Sequence, residues 1–129
     1  LRLNIFVYGT LMRGYGNHDR LMGEAKYVRD GITKPEYTMI SLGNFPGVFK
    51  GGNTPIKGEV YEVGLATIGR LDQLEGHPHF YERTPIDLDD GERVRIYLYK
   101  PPVKDSEILR FGIPSGDWND HTKLPVKMD

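Results

Sequence analysis

One segment of this chain, Leu65–Glu75, carries a helical stripe, and almost everything else reads as short extended pieces. Leu65, Ile68, Leu71 and Leu74 recur at three- and four-residue spacing, which places them on one helix face. Gly76 and Pro78 follow at once, as a helix C-terminus requires. Around this helix, strand candidates fall at residues 4–8, 24–32, 37–42, 56–63, 82–88 and 93–99, several alternating at the two-residue period. Asp89-Asp90-Gly91-Glu92 is a hairpin turn between the last two. A shorter helix is expected near residues 17–22. After Pro101-Pro102 comes a strand-poor tail broken by Pro114, Gly116 and Pro125. Within it, Pro114-Ser115-Gly116-Asp117-Trp118 reads as a turn beside an anchoring aromatic. Sixteen glycines and nine prolines supply the many turns that such short elements need. The pattern predicts a β-rich α+β fold, a single domain over residues 1–129.

Composition removes several classes of function. At 129 residues the chain is long enough to bury a proper core. Its formal net charge is -1 and its pI about 6.5, so it lacks the basic footprint that nucleic acid or an anionic membrane surface requires. No apolar stretch approaches bilayer-spanning length, and residues 1–30 show no secretory h-region or cleavage site. There is no cysteine, which rules out disulfides, thiolate nucleophiles and Cys-ligated metals. The expectation is a cytoplasmic protein with no nucleic-acid or membrane partner, a monomer by default.

The first strand candidate ends abruptly at Tyr8-Gly9-Thr10-Leu11. Gly9 permits a turn that a residue with a Cβ resists, and backbone N–H groups beyond the last ladder bond suit an anion such as a carboxylate. A strand-to-turn glycine is ordinarily only a turn, so the loop alone decides nothing. Gly14-Tyr15-Gly16 does not extend to a dinucleotide loop, since Asp19 stands where the third glycine belongs, and no Gly-Lys-Ser/Thr follows. His77 and His79 alternate and share a face if extended, but a metal needs further ligands, and His18 and His121 are distant in sequence. Ser41, Ser106 and Ser115 lack a nucleophile-elbow context. Glu75 is placed differently. It lies in the last helical turn, at the negative end of the helix dipole, which tends to raise a carboxyl pKa toward the range of an acid/base catalyst. The bland alternative is an exposed glutamate that tolerates a small penalty.

The run Leu71-Asp72-Gln73-Leu74-Glu75-Gly76-His77-Pro78-His79-Phe80-Tyr81-Glu82-Arg83 resembles a signature of the gamma-glutamylcyclotransferase-like superfamily. That signature is Leu-Glu-Gly at a helix end, a proline two residues later, then Tyr-x-Arg opening a strand. Tyr8-Gly9-Thr10-Leu11 resembles the superfamily's substrate loop. Met12-Arg13-Gly14, Asn17-His18, Phe45-Pro46-Gly47 and Gly58-Glu59-Val60-Tyr61 follow in matching order. Pro114-Ser115-Gly116-Asp117-Trp118 is similar to the end of the gamma-glutamylamine cyclotransferase branch.

The resemblance implies a small mixed β-barrel with flanking short helices and a cavity at the end of the first strand. It also implies cleavage of a gamma-glutamyl amide by attack of the glutamyl α-amine on its own γ-carbonyl, giving 5-oxoproline and a free amine without metal or cofactor. On that reading Glu75 is the general acid/base, and Tyr8, Gly9, Thr10 and Leu11 receive the glutamyl unit. Leu11 is expected to pack as much as to touch substrate. Tyr81 and Arg83 either support the pocket and orient Glu75 or simply begin a strand. Loops 12–18 and 44–47 are expected to line the amine half. Two other readings stand beside this one: a non-catalytic module that binds an amino-acid-like ligand on the same fold, and a metal-dependent hydrolase using His77 and His79.

Overall fold

The computed structural model describes residues 1–123; Pro125, expected to break the tail, lies outside them. In chain order the elements are β1 (Arg2–Val7), α1 (Gly16–Leu21), β2 (Lys26–Ile32), β3 (Tyr37–Ser41), β4 (Pro46–Lys50) and β5 (Lys57–Gly64). They continue with α2 (Leu65–Glu75), β6 (Tyr81–Asp87), β7 (Arg93–Tyr99), α3 (Asp105–Phe111) and α4 (Trp118–Thr122). The fold is α+β.

Five strands form a mixed sheet in the order β2-β5-β1-β7-β6. β1 is its centre, antiparallel to β5 and parallel to β7. This position explains the unbroken apolar run of β1. A central strand covered on both faces has no reason to alternate, and Ile5, Phe6 and Val7 are all buried. The sheet curls until its two edges meet beyond β2 and β6 at the bridge Thr33↔Leu88. Asp89 N–H donates to Ile32 O there at 3.0 Å. The barrel implied by the resemblance is thus a strongly curved five-stranded sheet touching itself at one corner, not a ladder closed along its length.

β3 and β4 form a separate antiparallel hairpin. Gly47 lets it lie close against β7, because a Cβ at that position would come within 3.0 Å of the Tyr99 ring. The bridge Ile40↔Gly112 and the hydrogen bond from Ile113 N–H to Met39 O (2.8 Å) tie the hairpin to the segment after α3.

Three expectations need correction. β4 was not foreseen, since it opens on Pro46 and contains Gly47, both poor strand signals. α3 and α4 lie in the tail read only as strand-poor; α3 buries none of its residues, so it has no stripe to detect. On α2 the buried face is Thr67, Ile68 and Leu71, while Leu65 and Leu74 at the two ends are exposed. Trp118 is buried as an anchor, and Asp117 caps α4 by accepting from Asn119 N–H (3.0 Å).

Candidate active site

The apolar run of β1 ends at Val7, and the chain then turns through residues 8–12 with Met12 N–H donating to Gly9 O at 3.0 Å. Gly9 is needed here for space: a Cβ would sit 2.8 Å from Pro46 Cδ. Its φ lies outside the left-handed region, so close approach to the hairpin, and not backbone conformation, selects glycine. Among the described residues, the N–H groups of Gly9, Thr10 and Leu11 have no protein acceptor. The first turn of α1 holds the loop, with Asn17 Nδ2 donating to Thr10 Oγ1 (3.0 Å) and His18 Nδ1 to Leu11 O (2.8 Å). Beneath it the buried Glu59 carboxylate accepts from Arg13 N–H (3.0 Å), Arg13 Nε (3.3 Å) and Tyr61 Oη (3.0 Å). A buried charge needs this degree of pairing, and here the pairing pins the downstream end of the loop to β5.

The other half of the site comes from the end of α2. Gly76 takes the left-handed conformation (φ 66°), with His77 N–H donating to Asp72 O and Gly76 N–H to Gln73 O. These paired bonds form a Schellman end, so the helix stops at Glu75. Asp72, one turn earlier, receives Arg83 Nε at 3.0 Å, Arg83 Nη2 at 3.1 Å and Tyr97 Oη at 2.7 Å. Burial works against the charge on Asp72, yet the Arg83 and Tyr97 hydrogen bonds and the Arg83 charge outweigh it and hold its carboxyl below the usual range. This cluster clamps α2 onto β6 and β7. His77 Nδ1 joins it by accepting from Arg83 N–H at 3.0 Å, and His121 stacks on Trp118. Among the described residues no three His, Cys, Asp or Glu side chains cluster as metal ligands.

Between the two halves lies a cavity of about 220 Å³. Tyr8, Gly9, Thr10, Leu11, Glu75 and Tyr81 all line it, so the structure brings together every sequence-derived candidate except Arg83. Arg83 lies outside the lining, paired with Asp72. Leu11 is buried and lines the cavity at once. Tyr81 is also buried, and its Oη donates to Pro46 O at 2.7 Å, fastening the hairpin over the site. Tyr8 Oη donates to Tyr97 O at 2.7 Å. Burial pushes the phenols of Tyr8, Tyr81 and Tyr97 up, so all three remain neutral donors.

Glu75 is partly buried, and among the described residues no donor reaches its carboxylate. Burial raises its pKa from 4.5 to about 7. The direction matches the expectation, and loss of water is the cause. An acid of that pKa exchanges protons readily near neutrality.

Asn17, Phe45 and Pro46 bring the two expected loops into the cavity wall. Phe80 and Tyr97 are also in the wall, and Tyr97 has no sequence signal beyond its place in a strand.

The family model for gamma-glutamyl cyclotransferase, AIG2-like, matches residues 5–120. The Escherichia coli K12 gamma-glutamylcyclotransferase family protein YtfP is 36% identical over 121 residues, which is 94% of this chain and 100% of that protein. Gamma-glutamylaminecyclotransferase A of Danio rerio is 31% identical over 121 residues, covering 84% of this chain and 75% of its own. The crystal structure of the uncharacterized protein PH0828 from Pyrococcus horikoshii superposes with a TM-score of 0.75 at 26% identity, covering 94% of this chain and 93% of that one.

Proposed function

This chain belongs to the gamma-glutamyl cyclotransferase, AIG2-like family, and from that premise we propose that it cleaves a gamma-glutamyl amide to 5-oxoproline and a free amine, with Glu75 moving the protons. The observation that carries the reading is the pairing of one half-buried carboxyl of pKa about 7 with open backbone N–H groups across a cavity of about 220 Å³. That volume is below the roughly 300–1,000 Å³ of sites for drug-sized ligands, and suits an amino-acid-sized unit.

The chemistry follows from this placement. The glutamyl α-ammonium gives one proton to the Glu75 carboxylate, and the freed lone pair attacks the γ-carbonyl carbon. As that C–N bond forms, the carbonyl π pair moves onto oxygen, where N–H groups of Gly9, Thr10 and Leu11 are available as donors. The same N–H row serves the substrate α-carboxylate. Glu75 then protonates the departing nitrogen as its bond to carbon breaks and the carbonyl reforms. The ring nitrogen's remaining excess proton returns through the carboxylate. Both protons released by the α-nitrogen end on the expelled amine, which leaves as an ammonium. Ring closure is intramolecular, so holding the bent conformer supplies a large part of the acceleration through orientation. The name of the Danio rerio relative supports a leaving group of the amine type.

The test is 5-oxoproline release from a set of gamma-glutamyl amides. The intact chain is expected to turn over at least one of them, and Glu75→Gln to fold normally and lose about 10²–10⁴-fold of that rate. Full activity in the variant would remove Glu75 from the mechanism, and binding without product would mark a non-catalytic module.

A further inference from the structure

An anion in this cavity meets no cation in the wall, since no Lys, Arg or His is among the described residues that line it. A carboxylate, with about four lone-pair sites, must then be met by neutral donors. The N–H groups of Gly9, Thr10 and Leu11 are some of these. The hydroxyls of the wall can be sorted by where their protons go. Tyr8 Oη and Tyr81 Oη donate to the carbonyl oxygens of Tyr97 and Pro46, and Tyr97 Oη donates to the Asp72 carboxylate. Carbonyl and carboxylate oxygens only accept, so those three protons are already engaged. Thr10 is the remaining hydroxyl residue of the wall.

The direction of the Thr10 hydrogen bond is fixed from α1. A guanidinium only donates, so Arg20 Nη2, 2.6 Å from Asn17 Oδ1, holds the amide oxygen on its own side. Asn17 Nδ2 is thereby turned to Thr10 Oγ1 at 3.0 Å. An amide nitrogen also only donates, so Thr10 Oγ1 accepts. The hydroxyl proton of Thr10 is left with no acceptor among the described residues, and both Thr10 and Asn17 line the cavity.

We infer that Asn17, held by Arg20, is a positioning residue: it keeps Thr10 Oγ1 an acceptor on its protein side, so that the Thr10 hydroxyl donates its proton to the glutamyl α-carboxylate. The inference rests on the cyclotransferase reading and deepens it, adding to the N–H row a side-chain donor whose direction is set by α1.

Asn17→Asp reverses that direction with little change of shape. A carboxylate still pairs with Arg20 but accepts from Thr10, which then turns only lone pairs toward the substrate. Thr10→Val removes the hydroxyl. Affinity for gamma-glutamyl propylamide is measured by calorimetry on the full chain carrying Glu75→Gln, without further change and with each substitution and both. Asn17→Asp and Thr10→Val are each expected to weaken binding at least tenfold, about 1.4 kcal/mol. With Thr10→Val present, Asn17→Asp should cost less than a further threefold. A larger further loss would mean that position 17 acts on the ligand directly and not through Thr10, and it overturns the inference. So does a loss below tenfold in either single change, or no binding by the Glu75→Gln parent. Thr10→Ser keeps the hydroxyl and should bind within threefold of that parent; a larger loss assigns the effect to the methyl group and overturns the inference. With Glu75 restored, Asn17→Asp should raise KM at least tenfold and change kcat less than threefold on the upper pH plateau, because the α-carboxylate keeps its charge throughout ring closure. A larger fall in kcat overturns the inference. The two readings fail differently. The expected binding pattern with no 5-oxoproline from the unmutated chain sinks the cyclotransferase reading alone. Turnover by the unmutated chain, with binding losses that simply multiply in the double variant, sinks this one alone.

Discussion

At the scale of single residues, the proposed role of Glu75 sets function against stability. Burial raises its carboxyl from 4.5 to about 7, so the folded protein binds that proton more tightly than the unfolded chain does. Stability attributable to this group is therefore greatest below pH 4.5, falls as pH rises toward 7, and stays at its lower level above. At 1.36 kcal/mol per unit the full effect is about 3 kcal/mol, less to the extent that the partly open side chain keeps water. Glu75→Gln carries no charge to desolvate. It is expected to exceed the parent in stability by about 2–3 kcal/mol at pH 8 and to match it near pH 4. Urea unfolding at the two pH values checks this, and equal stability at both would mean that Glu75 is not desolvated. On the proposed mechanism the same titration governs catalysis with the opposite advantage. The carboxylate is the form that takes the first proton, so kcat/KM on a gamma-glutamyl amide should climb with pH and level off above about 7. A variant that gains stability at the pH where it loses turnover is what a residue retained for chemistry gives.

Among elements, the decisive junction is the end of α2 against β6 and β7. The backbone of Gly76 and His77 stops the helix, but nothing in that stop aims Glu75 into the cavity. The Asp72–Arg83 pair and Tyr97 Oη do so by fixing the preceding turn. Arg83→Met removes the fork and leaves Asp72 with the Tyr97 hydroxyl as its donor. It is expected to cost about 1–3 kcal/mol of stability, since an ion pair of this partial burial is worth more than a surface one. On the proposed mechanism it should also lower kcat more than it raises KM, because the loop at residues 8–11 is untouched. Asp72→Asn combined with Arg83→Met should cost less than the sum of the two single changes; additive losses would deny the coupling. Much of this junction was legible in the sequence. The three- and four-residue spacing set the limits of α2, and Glu-Gly at its end located the carboxyl. The clamp was not legible, because Asp72 and Arg83 are eleven positions apart on different elements, and only their packing makes them a pair. For the same reason Tyr81 and Arg83, two residues apart on one strand, could not be given separate roles until one faced the cavity and the other did not. β4 escaped because proline and glycine are judged by local preference, whereas here they are held by Tyr81 and Tyr99.

In the whole molecule, the cavity wall is gathered from five stretches: the end of β1 with the loop after it, Asn17 of α1, the start of β4, the end of α2, and β6 with β7. The cavity thus depends on how the sheet curls and on how the hairpin is held over it. Alternation and hairpin turns in the sequence identified most strands, but strand order and the parallel β1–β7 pairing are long-range choices that no local pattern records. The curl and the hairpin can be tested apart. Thr33 stands at the corner where the sheet edges meet, is buried, and accepts Ile56 N–H at its Oγ1 (2.9 Å). Thr33→Val keeps the shape and leaves that buried N–H without its acceptor, an expected loss of about 1–3 kcal/mol. Tyr81→Phe likewise removes the Oη that donates to Pro46 O and is expected to fall in the same range of stability. The two should separate in turnover. Thr33 does not line the cavity, so its variant should keep kcat/KM within about threefold, a change of under 1 kcal/mol. Tyr81→Phe frees the hairpin that carries Phe45 and Pro46, and should lose tenfold or more, about 1.4 kcal/mol of transition-state stabilisation. Equal losses of turnover in both variants, measured at a temperature where each is fully folded, would show that the closing corner and not the hairpin sets the geometry of the site.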